Sequence, residues 1–228
     1  MQIEILPDEA AAAQRAAVLI AADARAAAAA RGRFCLAVSG GRTPWAMLRA
    51  LAGQDLPWPA VQLFQVDERV APAGDADRNL THLAASLLAH APLPPANVHA
   101  LPVEAADLRA AAGVYGARLR LHAGTPPVLD LVHLGLGPDG HTASLLPGDA
   151  ALAVADAEVA LAGPYQGRRR LTLTYPVLNR ARRVLWLVTG ADKRAMLARL
   201  RAGDPTIPAG RVEPAHALVL ADRAACPG

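Results

Sequence analysis

The stretch LDLVHLGLG, residues 129–137, is a near-continuous apolar run that ends in glycine. Three other runs have the same character and end in Gly or Asp: FCLAVSG (34–40), VQLFQVD (61–67) and RVLWLVTG (183–190). Segments rich in alanine and leucine, with helical spacing, lie between them at 8–31, 44–52, 79–90, 104–122 and 190–202. Buried strands that alternate with helices are typical of a mostly parallel sheet covered on both faces.

The remaining segments complete this fold prediction. RRLTLTYP, 169–176, alternates as an edge or antiparallel strand does, and ALVLAD, 217–222, indicates a last short strand. No stretch of linker composition divides the chain, so we expect one α/β domain over residues 1–228. The expected architecture has three layers, with helices on both faces of a mostly parallel, Rossmann-like sheet. Segments 67–78 and 138–168 lack periodicity, and loops of that length are usually functional or mobile.

The composition is that of a globular protein, with 53% hydrophobic residues and 23 basic against 20 acidic ones. This small positive excess favours anionic partners but does not predict nucleic-acid binding. The two cysteines, Cys35 and Cys226, are too few to predict a disulfide framework, so we expect a reducing, cytoplasmic setting. No segment has the pattern of a signal peptide or a membrane span, so no membrane partner is expected.

Ligands of open α/β sheets bind at the carboxyl ends of the strands, so we expect site residues in the loops that follow the strands. The first is SGGRTP, residues 39–44, with Pro44 expected as the first helical residue. Its glycines, its hydroxyls and the amides of a helix N-terminus would form a phosphate cradle, which draws on Ser39, Gly40, Gly41, Arg42 and Thr43. An ordinary strand-to-helix turn with Thr43 as N-cap explains the pattern equally well. A Walker loop is excluded, because its spacing and its lysine are missing.

The second loop begins with VDERV, residues 66–70, and continues to DADRN, residues 75–79. Asp67, Glu68 and Arg69 follow a strand directly, and they form either a structural ion pair or a set of contacts to a polar substrate. Asn79 is correspondingly either the N-cap of the next helix or a ligand contact.

The third loop, GLGPDGHTASLLPG at 135–148, contains the spacing G-x-G-x-x-G that is known from dinucleotide-binding proteins. In those proteins the third glycine begins a long helix. Here Pro138 interrupts the motif and Pro147 would stop any helix within about two turns. The sequence therefore argues against nucleotide binding.

The same loop places Asp139 and His141 two positions apart, where both can project to one side if the chain is locally extended. A histidine oriented by a carboxylate is the usual form of a general base near neutral pH. The other histidines lack such neighbours in the sequence, and we assign them to the core or the surface.

The last loop, VTGADKRAM at 188–196, places Lys193, the only lysine of the chain, at the start of a predicted helix. A cation is unfavourable there unless an anion is bound nearby, which points to a phosphate. The only dense basic run, Arg168 to Arg170, is typical of a solvated edge, although arginine also suits phosphate.

These motifs, in this order and over nearly the whole chain, resemble the 6-phosphogluconolactonase family of the glucosamine-6-phosphate isomerase/lactonase group. The specific part is GPDGHTAS; the supporting parts are SGGRTP, VDERV, RLTLTYPVLNRARRVLWLVTG, DKRAML and GDPTIPAGRVEP. The resemblance implies hydrolysis of 6-phospho-D-glucono-1,5-lactone in the oxidative pentose phosphate pathway, without metal or organic cofactor. It also leads us to expect a monomer or a weak homo-oligomer that acts on a small phosphorylated sugar lactone.

The resemblance assigns roles to individual residues. His141 would activate water, Asp139 would orient the imidazole, and backbone amides or Arg69 would stabilise the oxyanion. The phosphate would rest on the loop from Ser39 to Thr43 with Arg170 and Lys193 as counter-charges, and further substrate contacts are expected from Asp67, Asn79 and Gly137. The chain departs from the family pattern at Arg42 and Arg78, where small hydroxyl residues are more usual.

Three alternatives remain at this stage. Glucosamine-6-phosphate deaminases have a similar loop, but they carry a glutamate before its closing proline, where this chain has Leu146, which cannot transfer protons. A non-catalytic sugar-phosphate binding module would be expected to lack Asp139 or His141. A nucleotide-binding oxidoreductase is the third alternative, and it should respond to NAD(P).

Overall fold

The computed structural model describes residues 1–226, so the last two residues of the expected domain lie outside the described part. The strands are β1 (Gln2–Leu6), β2 (Phe34–Val38), β3 (Val61–Gln65), β4 (Asp67–Arg69), β5 (Val98–His99), β6 (Leu131–Leu134), β7 (Val159–Tyr165), β8 (Arg168–Leu173), β9 (Val184–Val188) and β10 (Ala217–Asp222). The α-helices are α1 (Glu9–Arg31), α2 (Arg42–Ala52), α3 (Asn79–Leu83), α4 (Leu108–Ala123), α5 (Tyr175–Asn179) and α6 (Arg194–Arg201). A π-helical segment, Ala84–Leu88, continues α3.

Seven strands form one sheet in the order β1-β10-β9-β6-β2-β3-β5, and all of its pairs are parallel. β4, β8 and β7 form a separate antiparallel sheet in that order. The predicted mostly parallel α/β architecture is therefore confirmed, and the predicted antiparallel strand near 169–176 is β8.

Two clusters of buried apolar residues lie on the two faces of the parallel sheet. Successive residues of a strand point to opposite faces, so Leu36 of β2 packs with α1 and α2, whereas Ala37 packs with α4 and the small sheet. The parallel strands are apolar throughout because both of their faces are covered. Among the described residues no helix combines the length and apolar character needed to cross a membrane.

Several boundaries differ from the prediction. Helix α2 begins at Arg42 rather than Pro44, and its N-cap is Gly41 rather than Thr43. Helix α4 begins at Leu108 because the Asp107 carboxylate accepts hydrogen bonds from the next backbone amides. The segment before α6, Ala191–Lys193, is a 3-10 turn. Strands β1, β4, β5 and β7 were not predicted; β4 lies in the expected loop 67–78 and β7 lies in the expected loop 138–168.

Candidate active site

A cleft of about 600 Å³ opens at the carboxyl ends of β9, β6, β2 and β3, four neighbours in the parallel sheet. The loops that follow these strands line it, together with β4 and β8. The sequence-predicted residues among its lining are Ser39, Gly40, Asp67, Arg69, Asn79, Gly137, His141, Arg170 and Lys193. One cleft therefore collects residues that are up to 154 positions apart in the chain, from Ser39 to Lys193.

His141 and Asp139 form a hydrogen-bonded pair at this cleft. His141 Nδ1 lies 2.5 Å from Asp139 Oδ1, and the same oxygen accepts the backbone N–H of His141 at 3.1 Å. A carboxylate only accepts hydrogen bonds, so Nδ1 carries a proton, and the neutral tautomer compatible with this bond has its lone pair on Nε2. This is the protonation state that a general base needs.

The loop that carries this pair is a tight turn, so the two side chains meet without the local extension that was considered from the sequence. Gly140 N–H donates to Gly137 O at 3.1 Å, and Gly137 N–H donates to His141 O at 2.8 Å. Gly140 has φ 83°, and a Cβ there would lie 2.6 Å from Cβ of Ile207. The imidazole of His141 packs directly on Gly137, where any Cβ would collide with the ring. These two glycines therefore fix the position of the base.

The pKa of Asp139 is lowered. Burial is the largest single influence and acts to raise it, but the hydrogen bonds from the backbone and ring of His141, with the charge of the imidazole, together outweigh burial. Asp139 therefore stays ionised as the partner of the imidazole near neutral pH.

The GGRTP part of the predicted phosphate loop lies largely outside the cleft lining. The Arg42 side chain is 85% exposed and pairs with Glu9 at 3.3 Å. The Thr43 hydroxyl is within 2.9 Å of Glu9 Oε1 and 2.7 Å of the Thr189 hydroxyl. The Ser39 hydroxyl donates to His133 O at 3.0 Å. The hydroxyls of this loop thus have partners within the protein, and of the five predicted cradle residues only Ser39 and Gly40 reach the cleft.

The three arginines at 168–170 lie on strand β8 and have different surroundings. Arg168 pairs with Asp75 at 3.2 Å and with Asp77 at 3.0 Å, which ties the β7–β8 hairpin to the loop after β4. Arg169 is exposed, and Arg170 is buried in the cleft lining. Burial lowers the pKa of Arg170, against the attraction of Asp67, but a guanidinium remains charged at neutral pH.

Three buried polar atoms of the cleft-lining residues have no hydrogen-bond partner within the described part of the chain: Arg69 Nε, Asn79 Oδ1 and Arg170 Nε. Two belong to cationic donors and one is an acceptor. Buried polar atoms are normally paired, so these three leave hydrogen-bonding capacity of the cleft-lining residues unused. The set matches a molecule that offers both anionic or carbonyl oxygens and hydroxyl groups.

Lys193 adds a further cation to the cleft. Its Nζ lies 3.1 Å from Asp192, and its side chain is 24% exposed. Lys193 lies in the turn that directly precedes α6, in agreement with its predicted position at the start of a helix.

Two residues of the site, Tyr165 and Ser144, were not predicted from the sequence. The Tyr165 ring lies edge-on to His141 at 5.3 Å and under the Arg170 guanidinium at 5.1 Å. The Ser144 hydroxyl donates to Asp67 Oδ2 at 2.6 Å. Of these, Ser144 belongs to the GPDGHTAS motif, which could have signalled it; Tyr165 lies in a segment without periodicity.

Within residues 1–226 no group of three or more His, Cys, Asp or Glu side chains is arranged to hold a metal ion. Together, the fold and the cleft define an α/β protein with a histidine–aspartate pair and a cationic site for a small anionic molecule. The chain belongs to the family of glucosamine-6-phosphate isomerases/6-phosphogluconolactonase, whose model matches residues 7–221. The resemblance noted from the motifs is thereby confirmed.

Individual relatives agree with this family. A 6-phosphogluconolactonase of Synechocystis sp. is 38% identical over 225 residues, which cover 96% of this chain and 93% of the relative. The crystal structure of 6-phosphogluconolactonase from Thermotoga maritima is 27% identical, with a TM-score of 0.86 and coverage of 97% of this chain and 98% of that chain. A monomeric glucosamine-6-phosphate deaminase has a TM-score of 0.85 over 99% of this chain and 98% of its own, but at 19% identity this likeness shows the fold alone.

Proposed function

We propose that this protein is a 6-phosphogluconolactonase, which hydrolyses 6-phospho-D-glucono-1,5-lactone to 6-phosphogluconate in the pentose phosphate pathway. The observation that carries the proposal is the His141–Asp139 pair in a cleft lined by Arg69, Arg170 and Lys193. This arrangement supplies a base for water and cations for an anionic lactone. The relatives of the family that match over nearly the full chain bear the same name.

In the proposed mechanism, His141 Nε2 takes a proton from a water molecule as its oxygen attacks the lactone carbonyl. The Nδ1–H bond to Asp139 stabilises the imidazolium that forms. The carbonyl oxygen becomes an oxyanion, and we assign its stabilisation to the guanidinium of Arg69, which lines the cleft. Collapse of the tetrahedral intermediate breaks the bond to the ring oxygen, and the imidazolium returns its proton to that oxygen.

Substrate binding is assigned to the polar groups that line the cleft. We assign the phosphate to Lys193 and Arg170, with the backbone of Ser39 and Gly40 beside them. Arg42 and Thr43 are left out, because neither belongs to the cleft lining and both side chains contact Glu9. Asn79 Oδ1 is free to accept a hydrogen bond from a sugar hydroxyl, and Gly137 provides the floor beneath the imidazole. Asp67 orients the amide of Asn79 and holds Ser144.

Deamination of glucosamine 6-phosphate receives no support from the cleft. The glutamate typical of deaminases is replaced by Leu146, which is buried and is not part of the cleft lining. The single domain, the cytoplasmic setting and the monomeric or weakly associating state are kept as parts of the same proposal.

The test measures hydrolysis of 6-phosphogluconolactone by purified protein. The product is followed either through the acid released or through a coupled reaction with phosphogluconate dehydrogenase. We expect turnover well above the spontaneous rate, no ammonia from glucosamine 6-phosphate, and no change of melting temperature with NAD(P). Lactone turnover equal to the spontaneous rate would overturn the proposal. Ammonia release would favour the deaminase, and a nucleotide-dependent shift would favour the oxidoreductase.

A further inference from the structure

Glu68 is a buried carboxylate that lies behind the cleft. Alternation along β4 directs Asp67 and Arg69 to the cleft and Glu68 to the opposite side, and Glu68 is fully buried and absent from the lining. Its Oε1 accepts the backbone N–H of Arg69 at 2.8 Å and of Asn79 at 2.7 Å. Its Oε2 accepts the backbone N–H of Leu80 at 2.7 Å and Nε2 of Gln65 at 2.8 Å. One side chain therefore joins β3, β4 and the start of α3.

Arg78 supplies the counter-charge. Its guanidinium is almost fully buried, with Nε at 3.4 Å from Glu68 Oε2, and Nη1 donates to Ala71 O at 2.9 Å. A buried carboxylate without a cation nearby would be costly. The departure from the family pattern at position 78 therefore places a cation beside the buried carboxylate of Glu68.

The residues held by Glu68 face the cleft. The hydrogen bond to Arg69 N fixes the backbone from which that guanidinium extends, and the bond to Asn79 N fixes the first residue of α3. Asn79 Nδ2 donates to Asp67 O at 3.0 Å; because a carbonyl oxygen only accepts, this sets the amide orientation and leaves Oδ1 unpartnered toward Gly40. Both residues carry unpartnered atoms in the cleft.

We propose that Glu68 is a positioning residue, which sets the placement of Arg69 and Asn79 for the substrate without touching it. The inference rests on the proposed lactonase function. Arg69 is assigned to the oxyanion and Asn79 to a substrate hydroxyl, so loss of Glu68 should affect both kcat and KM. A residue with a merely structural role would reduce the amount of folded enzyme and leave KM unchanged.

Glu68→Gln is the informative substitution because it keeps shape and volume. Four N–H donors converge on the carboxylate, and the amide NH2 of glutamine would face two of them as a fifth donor group. The local backbone must shift to relieve this, and displacements of about 1 Å at a catalytic site can cost on the order of 100-fold in rate.

Asp130→Asn is the matched control. Asp130 is also a buried carboxylate that accepts a backbone amide, that of Cys35 at 2.8 Å, and that pairs with Arg31 at 2.6 Å. It directly precedes β6 and so lies at the amino end of that strand, whereas the cleft lies at the carboxyl ends of the strands. Both substitutions should lower the melting temperature, but only one should alter the site.

The experiment measures kcat and KM for 6-phosphogluconolactone and the affinity for 6-phosphogluconate by calorimetry, below the melting temperature of each variant. For Glu68→Gln we expect KM and the product dissociation constant to rise about tenfold and kcat to fall about tenfold or more. Asp130→Asn should keep all three values within about twofold, since it changes no group at the cleft. In an Asn79→Ala background, Glu68→Gln should raise KM no further.

Unchanged KM and kcat in Glu68→Gln, beside an active wild type, would overturn this inference alone. Equal changes in Asp130→Asn would also overturn it, because the effect would then be one of general stability. An inactive wild type would instead overturn the proposed function. If Glu68→Gln fails to fold, Glu68→Asp keeps the charge but shortens the reach, and an unchanged KM in that variant would likewise contradict the positioning role.

Discussion

Asp139 Oδ1 accepts two hydrogen bonds from His141, one from the ring and one from the backbone. The carboxylate thus fixes both the rotation of the imidazole and the turn from which it projects. In Asp139→Asn the amide oxygen can still accept one bond, but the negative charge that stabilises an imidazolium is lost. We expect kcat to fall about 100-fold or more, with little change in KM. Steady-state kinetics test this, and a kcat within threefold of wild type would contradict the orienting role.

The cations of the cleft are predicted to recognise phosphate. Lys193→Gln removes a cleft charge and should raise KM for the phosphorylated lactone about tenfold, while the slow hydrolysis of unphosphorylated gluconolactone stays unchanged. Arg42→Gln is the control, because this arginine is exposed and outside the lining. A larger KM effect in Arg42→Gln than in Lys193→Gln would return the phosphate to the predicted SGGRTP cradle.

The turn before His141 is predicted to be intolerant of any side chain at position 140. Gly140→Ala combines a positive φ with a 2.6 Å approach to Ile207, so it should destabilise the fold by about 2 kcal/mol or more and displace the base. Gly32→Ala has a similar φ of 72° with nothing within 4 Å, and it should cost only about 1 kcal/mol without loss of activity. Urea unfolding and kinetics compare the two, and equal behaviour would contradict the packing argument.

We predict that two buried histidines, His133 and His99, lower the free energy of unfolding in acid. Burial lowers the pKa of His133 to about 3; burial, aided by the charges of His122 and Arg118, lowers the pKa of His99 to about 4. Both rings bind protons more readily in the unfolded chain, where histidine titrates near 6.5. Their neutral folded forms therefore stabilise the protein fully above about pH 7, and this contribution is lost as the pH falls toward 4.

The measurement is the free energy of unfolding in urea between pH 7 and 5. Each histidine should add a slope that approaches about 1.4 kcal/mol per pH unit. His133→Asn keeps an acceptor for the Ser39 amide and should reduce the slope by about one proton, whereas His90→Asn, at an exposed site, should not change it. An unaltered slope in His133→Asn would contradict the buried neutral state.

The parts of the fold that the sequence predicted are those with a local cause. Strands β2, β3, β6 and β9 are apolar because both sheet faces are covered, and this pattern is visible in any short window. β7 was hidden because Gly163 and Pro164 interrupt it, and β4 because its three residues, Asp67 to Arg69, are all charged.

The contacts of the site likewise divide into local contacts, which the sequence predicted, and contacts between distant residues, which it did not. The Asp139–His141 pair is a contact within one turn, so the motif predicted it. The register of β4 with β8 brings Arg69 beside Arg170, and Glu68 reaches Asn79 and Leu80 across a loop. These contacts depend on tertiary structure, and residue order alone does not contain them. The hydroxyl of Thr43 was predicted to bind phosphate, but in the structure it contacts Glu9. Because Glu9 lies 34 positions away in the sequence, the local motif does not reveal this contact.

The role of His141 as the base is tested most directly by the rate of 6-phosphogluconolactone hydrolysis by wild-type protein and by His141→Ala, corrected for spontaneous hydrolysis. We predict enzymatic turnover in the wild type and a loss of about 100-fold to 10,000-fold in kcat for His141→Ala, with unchanged binding of 6-phosphogluconate. A His141→Ala variant that hydrolyses the lactone at the wild-type rate would contradict the assignment of His141 as the base.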